Sequence, residues 1–411
     1  MNRSPLLSII IPTKNRQYTA VFAVDSVLSI PSDNLEVIVQ DCSDDDSLRQ
    51  ILNSKYSKDT RLKYFHSHQN PSMNENWSTA IANTQGKFVY GIGDDDAVLP
   101  AIIEVAEWMD SKNIDAVVPL KVQYIWSDAY LGTFSNSRLT LPANFTGNIY
   151  KIDLEKEYNR KLRSCGFGYT TNLPNLYHGF ISRRILELHK NKIGVYFNGT
   201  SLDVYAAFTI PLYLEHLYYI EYPISIWGAC GKSNSNRVVS KKSQDHFKEF
   251  KNYKKVVSLP NAFNAEVSVA ETTMQALKDI RKSDLIPTMD LSLVYAKCAS
   301  FEPSKLFSFY KDYKVHKNPG NTNMDYFVAF SKFMKGKIRQ RLVNTMTKLL
   351  FPILLPNAQY YVERITGNKK PICHDISECL DYIKAYQTEL RLKIQFDKKV
   401  VMLQTAKEIW E

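Results

Sequence analysis

Along the first part of the chain, short unbroken apolar runs alternate with segments whose apolar positions recur at helical spacing. Leu6-Leu7-Ser8-Ile9-Ile10-Ile11 reads as a strand buried on both faces, stopping at Pro12. Tyr18 to Leu28, apolar at Tyr18, Val21, Phe22, Val24, Val27 and Leu28, predicts a helix. Leu35 to Gln40 is a second strand, Ser47 to Tyr56 a helix, Arg61 to Phe65 a third strand and Asn74 to Thr84 a helix with Trp77, Ala80 and Ile81 inward. Lys87 to Ile92 is a fourth strand, Leu99 to Met109 a helix and Ile114 to Val118 a strand. Such alternation with short connections predicts an α/β fold with a doubly wound, mostly parallel sheet, which takes ligands at the carboxyl ends of its strands.

Three of those ends carry polar clusters: Thr13-Lys14-Asn15-Arg16, Asp41-Cys42-Ser43-Asp44-Asp45-Asp46 and Gly93-Asp94-Asp95-Asp96. Adjacent carboxylates repel, so a chain that places three of them on a turn after a strand does so where something cationic sits. Strand alternation would point Asp94 and Asp96 to one side and Asp95 to the other. Hard oxygen ligands at that spacing suit Mg²⁺ or Mn²⁺, whose remaining positions are filled by phosphate and water. A solvated acidic loop is the plainer alternative. The first strand lacks a following G-x-G-x-x-G, which disfavours a dinucleotide fold, and Gly86-Lys87 does not complete a P-loop.

Composition adds an asymmetry. Residues 1–235 hold 22 Lys+Arg against 24 Asp+Glu, whereas residues 236–411 hold 30 against 18, a balance of −2 followed by +12. The division predicts a near-neutral catalytic domain over 1–235 and a basic, mainly helical domain over 236–411. Helix-spaced apolar residues mark Ala270 to Ser283 and Asp375 to Trp410, the latter a candidate oligomerising helix with irregular heptads. Lys332 to Asn357 carries Lys332, Lys335, Lys337, Arg339, Arg341 and Lys348 with no acid and runs into Leu349-Leu350-Phe351-Pro352-Ile353-Leu354-Leu355. It reads either as a segment lying on an anionic membrane surface or as a buried helix with one basic face. A nucleic-acid partner would explain the basic half but not the acidic edge. Six scattered cysteines without a C-x-x-C pair fit a reducing, cytoplasmic setting. Cys373-His374 with Cys379 could form half a metal site, but two further ligands are not evident nearby. No signal peptide is expected at Met1 and no apolar run is long enough to span a bilayer.

Taken in order, Ser8 to Arg16, Val37 to Asp45, Asn76 to Gly86 and Gly93-Asp94-Asp95-Asp96-Ala97-Val98-Leu99-Pro100 resemble the family 2 glycosyltransferases of the GT-A fold, over about residues 5–118 and more weakly to 235. The resemblance implies a nucleotide-sugar donor (UDP the first expectation), a divalent metal on the D-x-D motif and inversion at the anomeric carbon. It implies that Pro12, Thr13, Asn15 and Arg16 line the nucleotide pocket and that Asp41 accepts a hydrogen bond from the base. It also implies that Asp96 ligates the metal, and that Asp94 contacts the ribose or supports the metal; Asp95 is the least defined of the three. Many relatives carry two acids where this chain has Asp41-Cys42, a departure that bears on base selection. Asp41 also suits a helix cap.

Inversion needs a base for the acceptor hydroxyl. In that family it is an Asp about a hundred residues after D-x-D, and Asp203, after Gly199-Thr200-Ser201 and before an apolar helical run, fits. The same position suits a first-turn helix carboxylate; Glu215 and Glu221 are the other candidates. Tyr177 to Arg184 reads as a turn entering a helix, with His178 facing donor or acceptor, or structural. Tyr222 to Gly228 is a strand followed by Gly228 to Arg237, which resembles a lid over the donor, with Lys232 or Arg237 in reach of a diphosphate, or else a plain linker. Ser164 to Asn175, rich in Gly, Tyr, Thr and Asn, is a candidate border of the acceptor. The expected acceptor is a glycan or lipid-linked hydroxyl in surface polysaccharide synthesis. Two rivals stand beside this reading: a catalytically silent, glycan-binding relative, and a sugar-1-phosphate nucleotidyltransferase, which would need a Gly-rich loop that Pro12 to Arg16 lacks.

Overall fold

The structure, a computed structural model, describes residues 4–129, 137–142, 145–168, 172–233, 256–262, 264–350, 368–369 and 371–403. Strand β1 (Leu7–Thr13) leads to α1 (Gln17–Leu28), β2 (Leu35–Asp41), α2 (Ser47–Tyr56), β3 (Leu62–His66), α3 (Met73–Ala82), β4 (Phe88–Gly91), β5 (Ala97–Val98) and α4 (Ala101–Lys112). Then come β6 (Ala116–Ile125), β7 (Arg138–Pro142), β8 (Ile149–Ile152), α5 (Leu154–Arg163), β9 (Phe180–Ser182), α6 (Arg183–Ile193), α7 (Leu202–Thr209) and β10 (Leu217–Ala229). The second half supplies α8 (Ala265–Asp279), α9 (Leu291–Phe301), α10 (Leu306–His316), α11 (Asn323–Leu350), β11 (Asn368–Lys369), α12 (Ile376–Glu389) and β12 (Val401–Met402).

The main path of the sheet runs β12-β8-β10-β6-β9-β4-β1-β2-β3. Strands β3, β2, β1 and β4 are parallel neighbours, as are β6 and β10. Short β9 is antiparallel to both β4 and β6, and β8 to β10, so the sheet is mixed, with the parallel expectation holding for β3-β2-β1-β4 and for β6-β10. Every residue of β1, β2 and β4 is buried, which is why these strands are largely apolar; inside them Ser8 and Glu36 meet in a buried hydrogen bond. In-register pairing sets Thr13 beside Asp41, bringing two of the polar clusters level.

Apolar residues pack on both faces. One core joins α1, α2 and α4 to Ile376, Cys379, Leu380 and Ile383 of α12; the other joins Ile10, Ile38 and Trp77 to α6, α7, α8 and α9. The change of composition at residue 235 is thus a change from sheet to helices, but both cores run across it. Both buried cysteines of the Cys373-His374/Cys379 pair belong to the first core.

Three expectations need correction. Asp375 to Trp410 is not one helix: α12 stops at Glu389. Arg391 turns left-handed (φ 50°), its N–H donates to the Thr388 carbonyl (3.0 Å), and the Leu392 N–H donates to the Gln387 carbonyl (2.9 Å). That is a Schellman closure made without the glycine that normally announces it. Tyr177 to Arg184 does not pass directly from turn to helix, because β9 intervenes and pairs with β4. The basic helix begins earlier than expected, at Asn323, and residues 351–355 of the apolar segment lie outside the described residues, as do residues 234–237 of the expected lid, Arg237 among them. Among the described residues no helix is long and apolar enough to cross a membrane.

Candidate active site

The acidic turn is held from below by the sheet. β4 ends at Gly91, and the Ile92 N–H continues the ladder to the Ile10 carbonyl at 3.0 Å. The Asp96 N–H then donates back to the Gly93 carbonyl (3.3 Å), so Gly93 to Asp96 is a turn and strand alternation does not apply to it. Asp94 and Asp95 both face Arg16, with Asp94 Oδ1 at 3.0 Å from Nη2 and Asp95 Oδ1 at 3.6 Å from Nη1, while Asp96 faces His178. This corrects the expectation that Asp94 and Asp96 share a side.

All three carboxylates are buried. Asp94 accepts from the Thr13 hydroxyl at 2.5 Å and Asp95 from the Cys230 N–H at 3.1 Å. Asp96 accepts from the Gly93 N–H (2.5 Å) and the Gly228 N–H (2.7 Å) and lies 3.1 Å from His178 Nε2. Burial pushes the carboxyls of Asp94 and Asp95 up, against the pull of Arg16, and the Asp95 carboxyl reaches about 7. Burial also acts to raise Asp96, but His178 and the two amides outweigh it and hold this carboxyl below its usual range.

His178 sits at φ 61° and is held by its N–H on the Gly91 carbonyl (2.8 Å). Burial lowers its pKa, so the ring is neutral near pH 7. Ser225 Oγ accepts from the Tyr90 hydroxyl (2.8 Å) and lies 2.8 Å from His178 Nδ1. The tautomer that carries its ring proton on Nε2, directed at Asp96, leaves Nδ1 to accept from the Ser225 hydroxyl. Sequence reasoning missed Tyr90 and Ser225, since both look like ordinary strand positions.

The remaining candidates fall around this centre. Pro12 is buried at the end of β1, paired with Gln40 of β2. Asn15, left-handed at φ 56°, donates its N–H to Ser43 Oγ (2.7 Å) and its amide to Asp44 (2.8 Å), tying two strand ends together. Asp41 is buried; its Oδ1 accepts from the Ser43 N–H (2.7 Å) and its Oδ2 from the Tyr64 hydroxyl (2.6 Å). Lys232 is exposed after β10, with Nζ donating to the Asn15 carbonyl at 3.2 Å.

Asp203 lies in the first turn of α7, half-buried, and accepts from the Ser201 hydroxyl at 2.8 Å. Its loop rests on α8: the Thr200 N–H donates to Thr272 Oγ1 (3.2 Å) and Thr200 Oγ1 lies 2.6 Å from Ser268 Oγ. The Asn74 amide clamps the Gly199 carbonyl at 2.6 Å from the other side. Burial lowers the pKa of Lys121, on β6, against the opposing attraction of Asp203 and Asp96, so its ammonium lies within electrostatic reach of both. The buried Tyr177 hydroxyl is likewise raised by burial, Asp96, Asp95 and Asp203. Lys121 and Tyr177 are therefore within electrostatic reach of both the acidic turn and Asp203, and sequence reasoning assigned a role to neither. Glu215 is exposed, and Glu221 engages Thr146 and Tyr150 at the β8 side of the sheet.

Fit to a divalent metal can be judged from the charges. One guanidinium faces two of three buried carboxylates, the neighbouring histidine is neutral, and burial pushes two of the acids toward their neutral forms. The donor set is short of positive charge, as a Mg²⁺ or Mn²⁺ site completed by phosphate would be. Among the described residues no three His, Cys, Asp or Glu side chains converge as a closed cage.

Gly228 lets β10 press on the turn: a Cβ there would lie 1.7 Å from the Asp95 carbonyl oxygen and 2.9 Å from Trp126 Nε1. Gly228→Ala is expected to cost about 1–3 kcal/mol of stability through overpacking, read from urea melts.

Residues 8–172 match glycosyl transferase family 2. Over 107 residues the chain is 37% identical to the putative colanic acid biosynthesis glycosyl transferase WcaA of Escherichia coli, covering 26% of this chain and 38% of the relative. Over 98 residues it is 34% identical to the GalNAc(5)-diNAcBac-PP-undecaprenol beta-1,3-glucosyltransferase of Campylobacter jejuni, covering 23% of this chain and 31% of the relative. The chain thus spans about a third of the length of the curated relatives it matches. A crystal structure of S. aureus TarS 1–349 in complex with UDP-GlcNAc aligns over 80% of this chain and 92% of that one, at 15% identity and a TM-score of 0.49.

Proposed function

We propose that this chain, whose residues 8–172 match glycosyl transferase family 2, is an inverting glycosyltransferase that moves a sugar from a nucleotide diphosphate to a hydroxyl of a glycan or lipid-linked acceptor. The observation that carries the reading is the meeting, at one sheet edge, of the Thr13–Arg16 segment and the Asp94-Asp95-Asp96 turn, with Asp203 and Asp96 both acting on the charge of Lys121. Residues 1–235 form the catalytic part in this reading, and residues 236–411 support the acceptor side.

Pro12, Thr13, Asn15 and Arg16 bind the nucleotide with Asp41 behind them. Asp96, with Asp94 supporting it, would hold a Mg²⁺ or Mn²⁺, which would supply positive charge as the diphosphate leaves. His178 keeps Asp96 ionised and aimed, and Lys232 lies on the donor side. Asp203 takes the proton of the acceptor hydroxyl as it attacks the anomeric carbon from the face opposite the diphosphate. The Campylobacter relative's name places its acceptor on undecaprenyl diphosphate, and an acceptor of that class, used in surface polysaccharide synthesis beside a membrane, is carried over here as part of the proposal.

Calorimetry with UDP, GDP and dTDP, with and without Mn²⁺, tests the reading. Metal-dependent binding of one nucleotide is expected, weakened more than about tenfold in Asp96→Asn and Asp96→Ala, as for loss of a charged contact worth over 1.4 kcal/mol. Absence of binding to all three nucleotides would favour the silent, glycan-binding relative.

A further inference from the structure

Helix α11 presents two faces of opposite character. Tyr326 and Ala329 are buried, and Phe330 and Phe333 pack with them on the core formed with α9. Lys337 belongs to this inner side: its Nζ donates to the Ser300 carbonyl at 2.6 Å and sits 4.1 Å from the centre of the Phe301 ring. The outer side is different. Met324, Val328, Ile338 and Leu342 are 65%, 48%, 53% and 60% exposed, at helical spacing along one stripe. Lys332, Lys335, Arg339 and Arg341 are exposed beside it. Between Asp325 and Glu363 the sequence has no acid.

A soluble helix normally turns its apolar stripe inward; this one has a second stripe outward, flanked by cations and, past the first-turn Asp325, by no acid. We propose that the outer face of α11 is a membrane-docking surface whose partner is an anionic bilayer leaflet, with the four apolar side chains entering the headgroup boundary and the four cations meeting lipid phosphate. A soluble polyanion would satisfy the cations but give the apolar stripe nothing to bury against. The surface connects to the chemistry through packing: α11 lies on α9, α9 on α8, and α8 carries the Thr272 and Ser268 contacts of the Asp203 loop. Docking would hold that loop near lipid-borne acceptors, a consequence that rests on the proposed function, whereas the docking itself does not.

The test is co-sedimentation of the full chain with vesicles of phosphatidylcholine alone or with one-third phosphatidylglycerol, at physiological salt and without nucleotide. Binding to the anionic vesicles is expected to be more than about tenfold stronger. Ile338→Glu with Leu342→Glu, and separately Lys335→Glu with Arg339→Glu, should each remove most of it, with unchanged circular dichroism and unchanged nucleotide binding. Equal binding to both vesicle types, or no effect of either pair of substitutions, would overturn the proposal. So would binding to soluble polyphosphate that survives Ile338→Glu with Leu342→Glu and abolishes vesicle binding. Vesicle binding in a chain that binds no nucleotide would leave the docking surface standing and remove only its link to glycosyl transfer.

Discussion

Asp203→Asn is expected to lower kcat by about 10²–10⁴-fold, the usual contribution of a positioned general base, while leaving metal-dependent nucleotide affinity unchanged. The Asn keeps the shape and can still accept from the Ser201 hydroxyl, which meets Asp203 at 2.8 Å, but it cannot take a proton. A group used only in the transition step lowers kcat without changing ground-state binding of the donor. If Asp203 served only as a first-turn carboxylate, the same substitution would cost about 0.3–1 kcal/mol of stability through the helix dipole and leave turnover intact. The two roles thus separate cleanly when product formation, from sugar donors of the nucleotide identified by calorimetry and a lipid-extract acceptor, is measured beside a urea melt. Lys121→Met offers a control of another kind. It removes the ammonium within reach of both Asp203 and Asp96, so it should shift the pH profile of turnover, which a purely structural substitution would not.

How much of this was legible in the sequence depends on what each residue faces. β1, β2 and β4 could be read because both of their faces are covered, which leaves largely apolar runs. The three polar clusters could be placed on one edge because parallel strands end level, and Thr13 does pair with Asp41. The carboxylates' directions could not be read, since Gly93 to Asp96 closes as a turn and its side chains follow Arg16 and His178 rather than strand alternation. Ser225 and Tyr90 matter through a hydrogen-bond chain that joins two strands to the His178 turn, and no local pattern carries that information. The support of the Asp203 loop by Thr272 and Ser268 crosses about seventy residues of chain; on α8 these two simply look like polar positions of an amphipathic helix. The end of α12 was hidden because an arginine, not a glycine, takes the left-handed position.

The second large effect concerns charge in the acidic turn. Between pH 4 and pH 8, Asp95→Asn should gain stability relative to the wild type by about 4 kcal/mol, at 1.36 kcal/mol per pKa unit. The Asp95 carboxyl stands at about 7 in the folded chain against its ordinary 3.8, pushed up by burial and by Asp96 and Asp94 more than Arg16 can offset. A raised carboxyl binds its proton more tightly folded than unfolded. Its contribution is therefore fully present below the unfolded pKa and is lost as pH rises through 7. Asn mimics the protonated acid at every pH and can still accept the Cys230 N–H, so it escapes that loss. His178 and His189, both held below the usual range by burial, work in the opposite sense: their contribution is lost as pH falls below the unfolded histidine value. They are common to both proteins and cancel in the difference. Divalent cation supplies the discriminating arm. In the proposed reading, the excess negative charge that penalises the wild type at pH 8 is what Mn²⁺ and nucleotide neutralise. Their addition should then raise the wild-type melting temperature more at pH 8 than at pH 5, and more than in Asp95→Asn. A stability difference that stays flat from pH 4 to pH 8 would mean that Arg16 already balances the turn, and the electrostatic case for a metal at Asp94 and Asp96 would fall with it.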